Sequence, residues 1–255
     1  VAGTYSVTLI VTDSANNPSA PLSASITVDE RIAGSTERRI AASTDDAEEV
    51  TGSSVNLSSS DLELIQDSAA QTVGMRWTGV AIPVHATIEA AYIQFAAKEA
   101  HTELTNLVIR GQAADNPATF ASATASVSTR PRTVAQANWS PAAWTIGAVD
   151  AAQRTSDFKN VIQEIVNRPG WASGNALAIV IDGTGHRTAW AYDGQPAGAP
   201  LLHVDFSVGP PPPDFAPLAG LTVAQIASPP LTVTANGSTS TDTDFTPIAS
   251  YTFDF

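Results

Sequence analysis

Apolar and polar residues alternate at period two from Gly3 to Asp13, with Tyr5, Val7, Leu9 and Val11 falling on one side. That pattern predicts a half-buried strand. Ser14 to Pro21 is rich in turn formers and Leu22 to Val28 alternates again, so a hairpin is expected. Two strands alone cannot bury a core. Further along, short alternating runs predict strands over Val73–Trp77, Ile88–Phe95, Leu107–Gln112, Ala176–Ile181 and Leu201–Phe206, separated by Gly, Pro, Asn and Asp. The pattern turns helical once, where Phe158, Val161, Ile162 and Ile165 recur at helix spacing after Ser156 as N-cap and before Pro169-Gly170 as the stop. The predicted class is all-β, with a single helix whose apolar stripe belongs to the core.

The segment Gly3-Thr4-Tyr5-Ser6-Val7-Thr8-Leu9-Ile10-Val11-Thr12-Asp13 resembles the closing strands of polycystic-kidney-disease-type (PKD) domains, an immunoglobulin-like family. Near the other end, Pro230 to Ser238, Asp242-Thr243-Asp244 and Ile248 to Phe255 resemble the first half of the same family. The resemblance implies two half PKD segments, 1–30 and 214–255, as if the chain began and ended inside such domains. Gly209-Pro210-Pro211-Pro212-Pro213 lacks amide donors at its prolines and is expected to form a stiff spacer over 209–213.

Residues 31–208 then form a central module. Its order of features is an acidic opening, a strand ending in Arg76-Trp77, Ile82-Pro83, the run Ala86 to Phe95, the helix, Gly174 to Ile179 and the closing Ala199 to Val204. This order resembles the DNRLRE-type carbohydrate-binding modules of secreted bacterial proteins, although Val73 to Thr78 stands where the name-giving letters would be. The resemblance implies a jelly-roll-like β-sandwich and a polysaccharide partner.

Composition narrows the chemistry. Cysteine is absent and methionine occurs once, which removes disulfides, zinc-thiolate sites and thiol nucleophiles. A formal charge of -13 repels nucleic acid and anionic lipid. No stretch approaches the roughly 18 apolar residues of a membrane span. Low charge content and richness in Thr, Ser, Ala, Gly and Asn point to a secreted or cell-surface protein.

Two kinds of candidate site stand out. Asp45, Asp46, Glu48 and Glu49 place four carboxylates in five residues, which reads as a calcium loop, calcium taking six to eight oxygens, or as a solvated acidic loop. Asp242 and Asp244 offer either a second calcium position or Asx-turn caps. Arg187, Trp190, Tyr192 and Asp193 form the densest polar and aromatic cluster, and two aromatics two apart on a strand would share a face on which a pyranose could stack. The alternative is that the aromatics are core and Arg187 pairs with Asp193. Trp139, Trp144 and Trp171 fall in loop-like or helix-flanking stretches, and the first two lie in a long loop expected from Asn116 to Gly147, either a cover over a sheet edge or a binding loop.

No catalytic constellation emerges. His85, His101, His186 and His203 show no paired metal spacing, no G-x-S-x-G elbow occurs, and Asp61 with Glu63 is a pair that chance supplies in a chain with 25 acidic residues. The expected function is non-catalytic polysaccharide binding. The rival expectation is a structural repeat of a giant adhesin, or a fibre subunit, joined to neighbouring PKD repeats in cis or in trans through complementary halves.

Overall fold

The computed structural model describes residues 3–12, 14–28, 31–50, 53–209, 218–226, 232–241, 250 and 252. Asp242, Asp244 and the prolines at 210–213 lie outside the described residues. The chain divides into two compact units, Glu30–Gly209 and a second one composed of Val1–Asp29 and Pro210–Phe255.

In the second unit, β1 (Gly3–Leu9) pairs antiparallel with β2 (Leu22–Val28), as the alternation predicts. Every described residue of this hairpin whose side chain is placed is exposed. Val7 faces Ala24 and Leu9 faces Leu22 across the ladder, so one face carries an apolar stripe. A further hairpin joins two later strands, Thr222–Ile226 and Thr232–Asn236.

The larger unit holds β3 (Ile32–Arg39), β4 (Asp46–Val50), β5 (Val55–Asn56), β6 (Asp61–Glu63), β7 (Gln71–Trp77), β8 (Thr87–Gln94), β9 (Asn106–Gln112), β10 (Arg132–Trp139), α1 (Lys159–Val166), β11 (Leu177–Thr184), β12 (Thr188–Trp190) and β13 (Leu201–Val208). The later hairpin is accordingly β14 and β15. Six strands form one antiparallel sheet in the order β10-β9-β11-β7-β4-β5, three form another in the order β3-β13-β8, and β12 pairs with β6 as a separate ribbon. This is a predominantly β fold of sandwich type with one short helix.

Each element follows from its pattern. β11 is buried from Leu177 to Ile181 because both faces of its sheet are covered: Leu177, Ile179 and Ile181 join the main core, while Val180 joins a smaller cluster with Ala47, Val55, Phe120 and Val127. Burying each such side chain contributes about 1.5–3 kcal/mol. Helix α1 buries Val161, Ile162, Ile165 and Val166 and packs on β8, β9 and β10. Its N-cap is Phe158, not Ser156; Asp157 supplies the acceptor, taking the Lys159 and Ala91 amides, while Ser156 donates to the Asn138 carbonyl.

The tryptophans expected in loops are core. Trp139 ends strand β10, stacked 5.7 Å from Phe95, and Trp144 lies beside it. Trp171 and Trp144 are buried with their indole N–H groups on the carbonyls of Ile82 and Ala152. Amphipathic indoles are enclosed where the N–H finds a partner. Among the described residues no helix is long and apolar enough to cross a membrane.

Candidate functional site

The ribbon β6–β12 organises the polar surface. Asp61 faces Trp190 and Glu63 faces Thr188 across the ladder, and Leu62 with Ala189 between them is buried in the core. Alternation therefore sends Asp61, Glu63, Thr188 and Trp190 to the opposite face. Lys98 ties this face together: its ammonium pairs with Asp61, donates to Ser60 Oγ at 2.9 Å and sits 5.3 Å from the Trp190 ring centroid.

Four of the five tryptophans are enclosed, and Trp190 alone is half-buried. Its ring lines a cleft of about 290 Å³ with Arg39, Gln94, Gln195 and Gly198 among the other walls. Arg39 gives one N–H to the Ala199 carbonyl. A guanidinium has five such donors in a fixed fork.

The other members of the expected ligand cluster do not line this cleft. Arg187 is 1% exposed and donates to the carbonyls of Ala142, Glu103, Pro141 and His186 and to Thr105 Oγ1. Its guanidinium is used up in joining three chain segments, so it neither meets a surface ligand nor pairs with Asp193. Burial lowers its pKa. Tyr192 lies two residues past Trp190 but beyond the end of β12, so the two aromatics do not share a strand face; its ring is packed against the core. Asp193 is exposed and accepts from Ser43 Oγ at 2.7 Å.

The acidic run forms no loop. Asp46, Glu48 and Glu49 lie on strand β4 and all four carboxylates are buried. Each has its own partner. Asp45 pairs with Arg76 at 2.6 Å, Asp46 accepts the Tyr192 amide at 2.7 Å, Glu48 accepts the Glu63 amide at 2.6 Å, and Glu49 accepts the amides of Val127 and Ser128 at 2.7 and 2.9 Å. Strand alternation puts Glu49 on the face opposite Asp46 and Glu48, so the four cannot converge on one ion. Burial, aided by repulsion from Asp193 and Asp45, pushes the Asp46 carboxyl up to about 7; burial, with Asp61 and Glu63 nearby, raises Glu48 to about 7.

The donor atoms that do converge come from His101, Glu103 and His186. Strand pairing explains the meeting: Thr184 at the end of β11 faces Asn106 at the start of β9, so the residues just beyond each end are adjacent. Gly185, at φ +92°, makes the turn, and a Cβ there would lie 2.5 Å from the Thr105 Cα. His101 is held by paired backbone hydrogen bonds with Trp144, and the two imidazole centroids are 3.9 Å apart. His101 and His186 are 85 positions apart, so no spacing in the chain signals the pair.

No protein-family model matches the chain, and no curated protein matches it significantly.

Proposed function

We propose that residues 31–208 are a non-catalytic polysaccharide-binding module of a secreted or cell-surface protein, with Trp190 as the stacking platform. The observation that carries this reading is that Trp190 alone among the tryptophans is left out of the core, in an open cleft beside Arg39 and Gln195. An aromatic face takes the apolar side of a sugar ring, and guanidinium and amide groups suit its hydroxyls. Resemblance to DNRLRE-type modules and the sandwich-type fold support the same assignment. Retention of the chain on insoluble and gel-immobilised polysaccharides tests it. Trp190→Ala should lower retention by about tenfold or more, in keeping with the loss of an aromatic contact, while far-UV circular dichroism stays unchanged. Equal retention by the variant would remove Trp190 from the site.

A second reading, a structural repeat of an adhesin or fibre, is favoured by the β1–β2 hairpin. Val7, Leu9 and Leu22 are 61%, 59% and 73% exposed, on a two-stranded ribbon whose length of apolar edge suits pairing with a complementary PKD-like half from a neighbouring repeat.

A further inference from the structure

We propose that His101, His186 and Glu103 bind a divalent transition-metal ion, zinc in the first instance, through the two imidazole Nδ1 atoms and one carboxylate oxygen. This site is separate from the Trp190 cleft and its test does not depend on polysaccharide binding.

Hydrogen-bond accounting carries the argument. Glu63 Oε2 lies 2.6 Å from His186 Nε2 and accepts the Thr188 hydroxyl at 2.9 Å. A carboxylate only accepts, so His186 carries its proton on Nε2. The Thr188 hydrogen being spent on Glu63, its oxygen accepts from His101 Nε2 at 2.8 Å. In their neutral form both rings therefore present bare Nδ1 lone pairs on the other side. Those atoms lie 3.4 Å (His101) and 3.6 Å (His186) from Glu103 Oε1, too far for charge-assisted hydrogen bonds. Glu103 is itself oriented by the Thr102 amide on Oε2 at 2.9 Å. Three electron-rich atoms thus face one another with no hydrogen bond among them.

A bound cation resolves that arrangement. For a tetrahedral ion with bonds of about 2.0–2.1 Å, neighbouring ligand atoms are about 3.4 Å apart, close to both separations here. Imidazole donors favour zinc, copper or nickel over calcium. Glu63 and Thr188 fill the role of outer-shell groups that fix the ring tautomers of ligating histidines. Arg187, which donates to the Glu103 carbonyl at 3.0 Å and to the His186 carbonyl, holds both ligand segments from behind. Three protein ligands beside the exposed Glu103 leave a fourth position to water, and the ion would link the segment preceding β9 to the β11–β12 turn.

The experiment is a titration of the chelator-treated full chain with Zn²⁺ by calorimetry, repeated with Co²⁺ and followed by visible absorption. The expected result is one equivalent bound, with the intense d–d bands of four-coordinate Co²⁺. Glu103→Gln and His101→Gln should each abolish the intense Co²⁺ bands. Glu63→Gln, a positioning change, should weaken affinity about 10- to 100-fold. Glu103 is exposed, so its variant retains the fold and keeps the test decisive. No saturable binding of Zn²⁺, or binding and Co²⁺ spectra unaltered in both Glu103→Gln and His101→Gln, would overturn the proposal.

Discussion

At the scale of residues, the acidic run shows how one composition can hide several environments. Asp45, Asp46, Glu48 and Glu49 look like a solvated loop or a calcium cradle because side-chain charge is all the sequence displays. Their partners are backbone amides of Tyr192, Glu63, Val127 and Ser128 and the Arg76 guanidinium, none of which sequence spacing identifies. Two of these carboxyls have consequences for pH. Asp46 and Glu48 keep their protons to about 7 when folded, against 3.8 and 4.5 for the free groups. Between those limits the folded chain binds more protons than the unfolded one, so this contribution is full below about pH 4 and is lost as pH rises through 7. Melting temperature should consequently fall between pH 5 and pH 8, and the Asp46→Asn, Glu48→Gln double variant should show a flatter profile by thermal denaturation. Identical slopes in the two proteins would show that the carboxyls are ionised throughout.

At the scale of elements, the legible parts were those whose alternation meets a one-sided environment. β8, β9 and β13 show every second residue buried over most of their length, and the sequence pattern finds them directly. β4 and β10 are among the strands that the pattern does not predict. β4 reads Asp-Ala-Glu-Glu-Val, and its burial rests on specific amide partners instead of apolar side chains. β10 alternates, with Val134, Gln136 and Asn138 exposed, but its inward positions include Thr133, Ala135 and Ala137, too weakly apolar to mark the period, and its pairing carries a register shift between Arg132 and Gln136. The histidine pair was equally illegible, because it exists only once β11 and β9 are in register and Gly185 turns the chain back. The β1–β2 hairpin, by contrast, was plain from its alternation, and its apolar stripe supports the repeat reading. On that reading the native chain should self-associate with rising concentration in sedimentation velocity, and Leu9→Lys should remain monomeric. A native chain that is monomeric at every concentration would count against it.

At the scale of the whole molecule, the larger unit keeps nearly all its aromatic surface for its own core. Trp77, Trp139, Trp144 and Trp171, with Phe95 and Phe158, are enclosed, while Trp190 at the end of β12 is half-buried. The polysaccharide-binding proposal rests on this placement, with four tryptophans enclosed and the fifth beside an arginine and an amide in an open cleft. The sequence pointed to Trp190 through the cluster around it, yet could not separate it from Arg187, which the fold consumes in five hydrogen bonds. Because the other four indoles are buried, acrylamide quenching of tryptophan fluorescence reports chiefly on Trp190, and it is the most direct measurement of the central claim. Adding the polysaccharide that retains the chain should reduce the accessible fraction in the native protein and leave the Trp190→Phe variant unchanged. Quenching that is unaffected by saturating polysaccharide would contradict the account, since the ligand would then be held somewhere other than against Trp190.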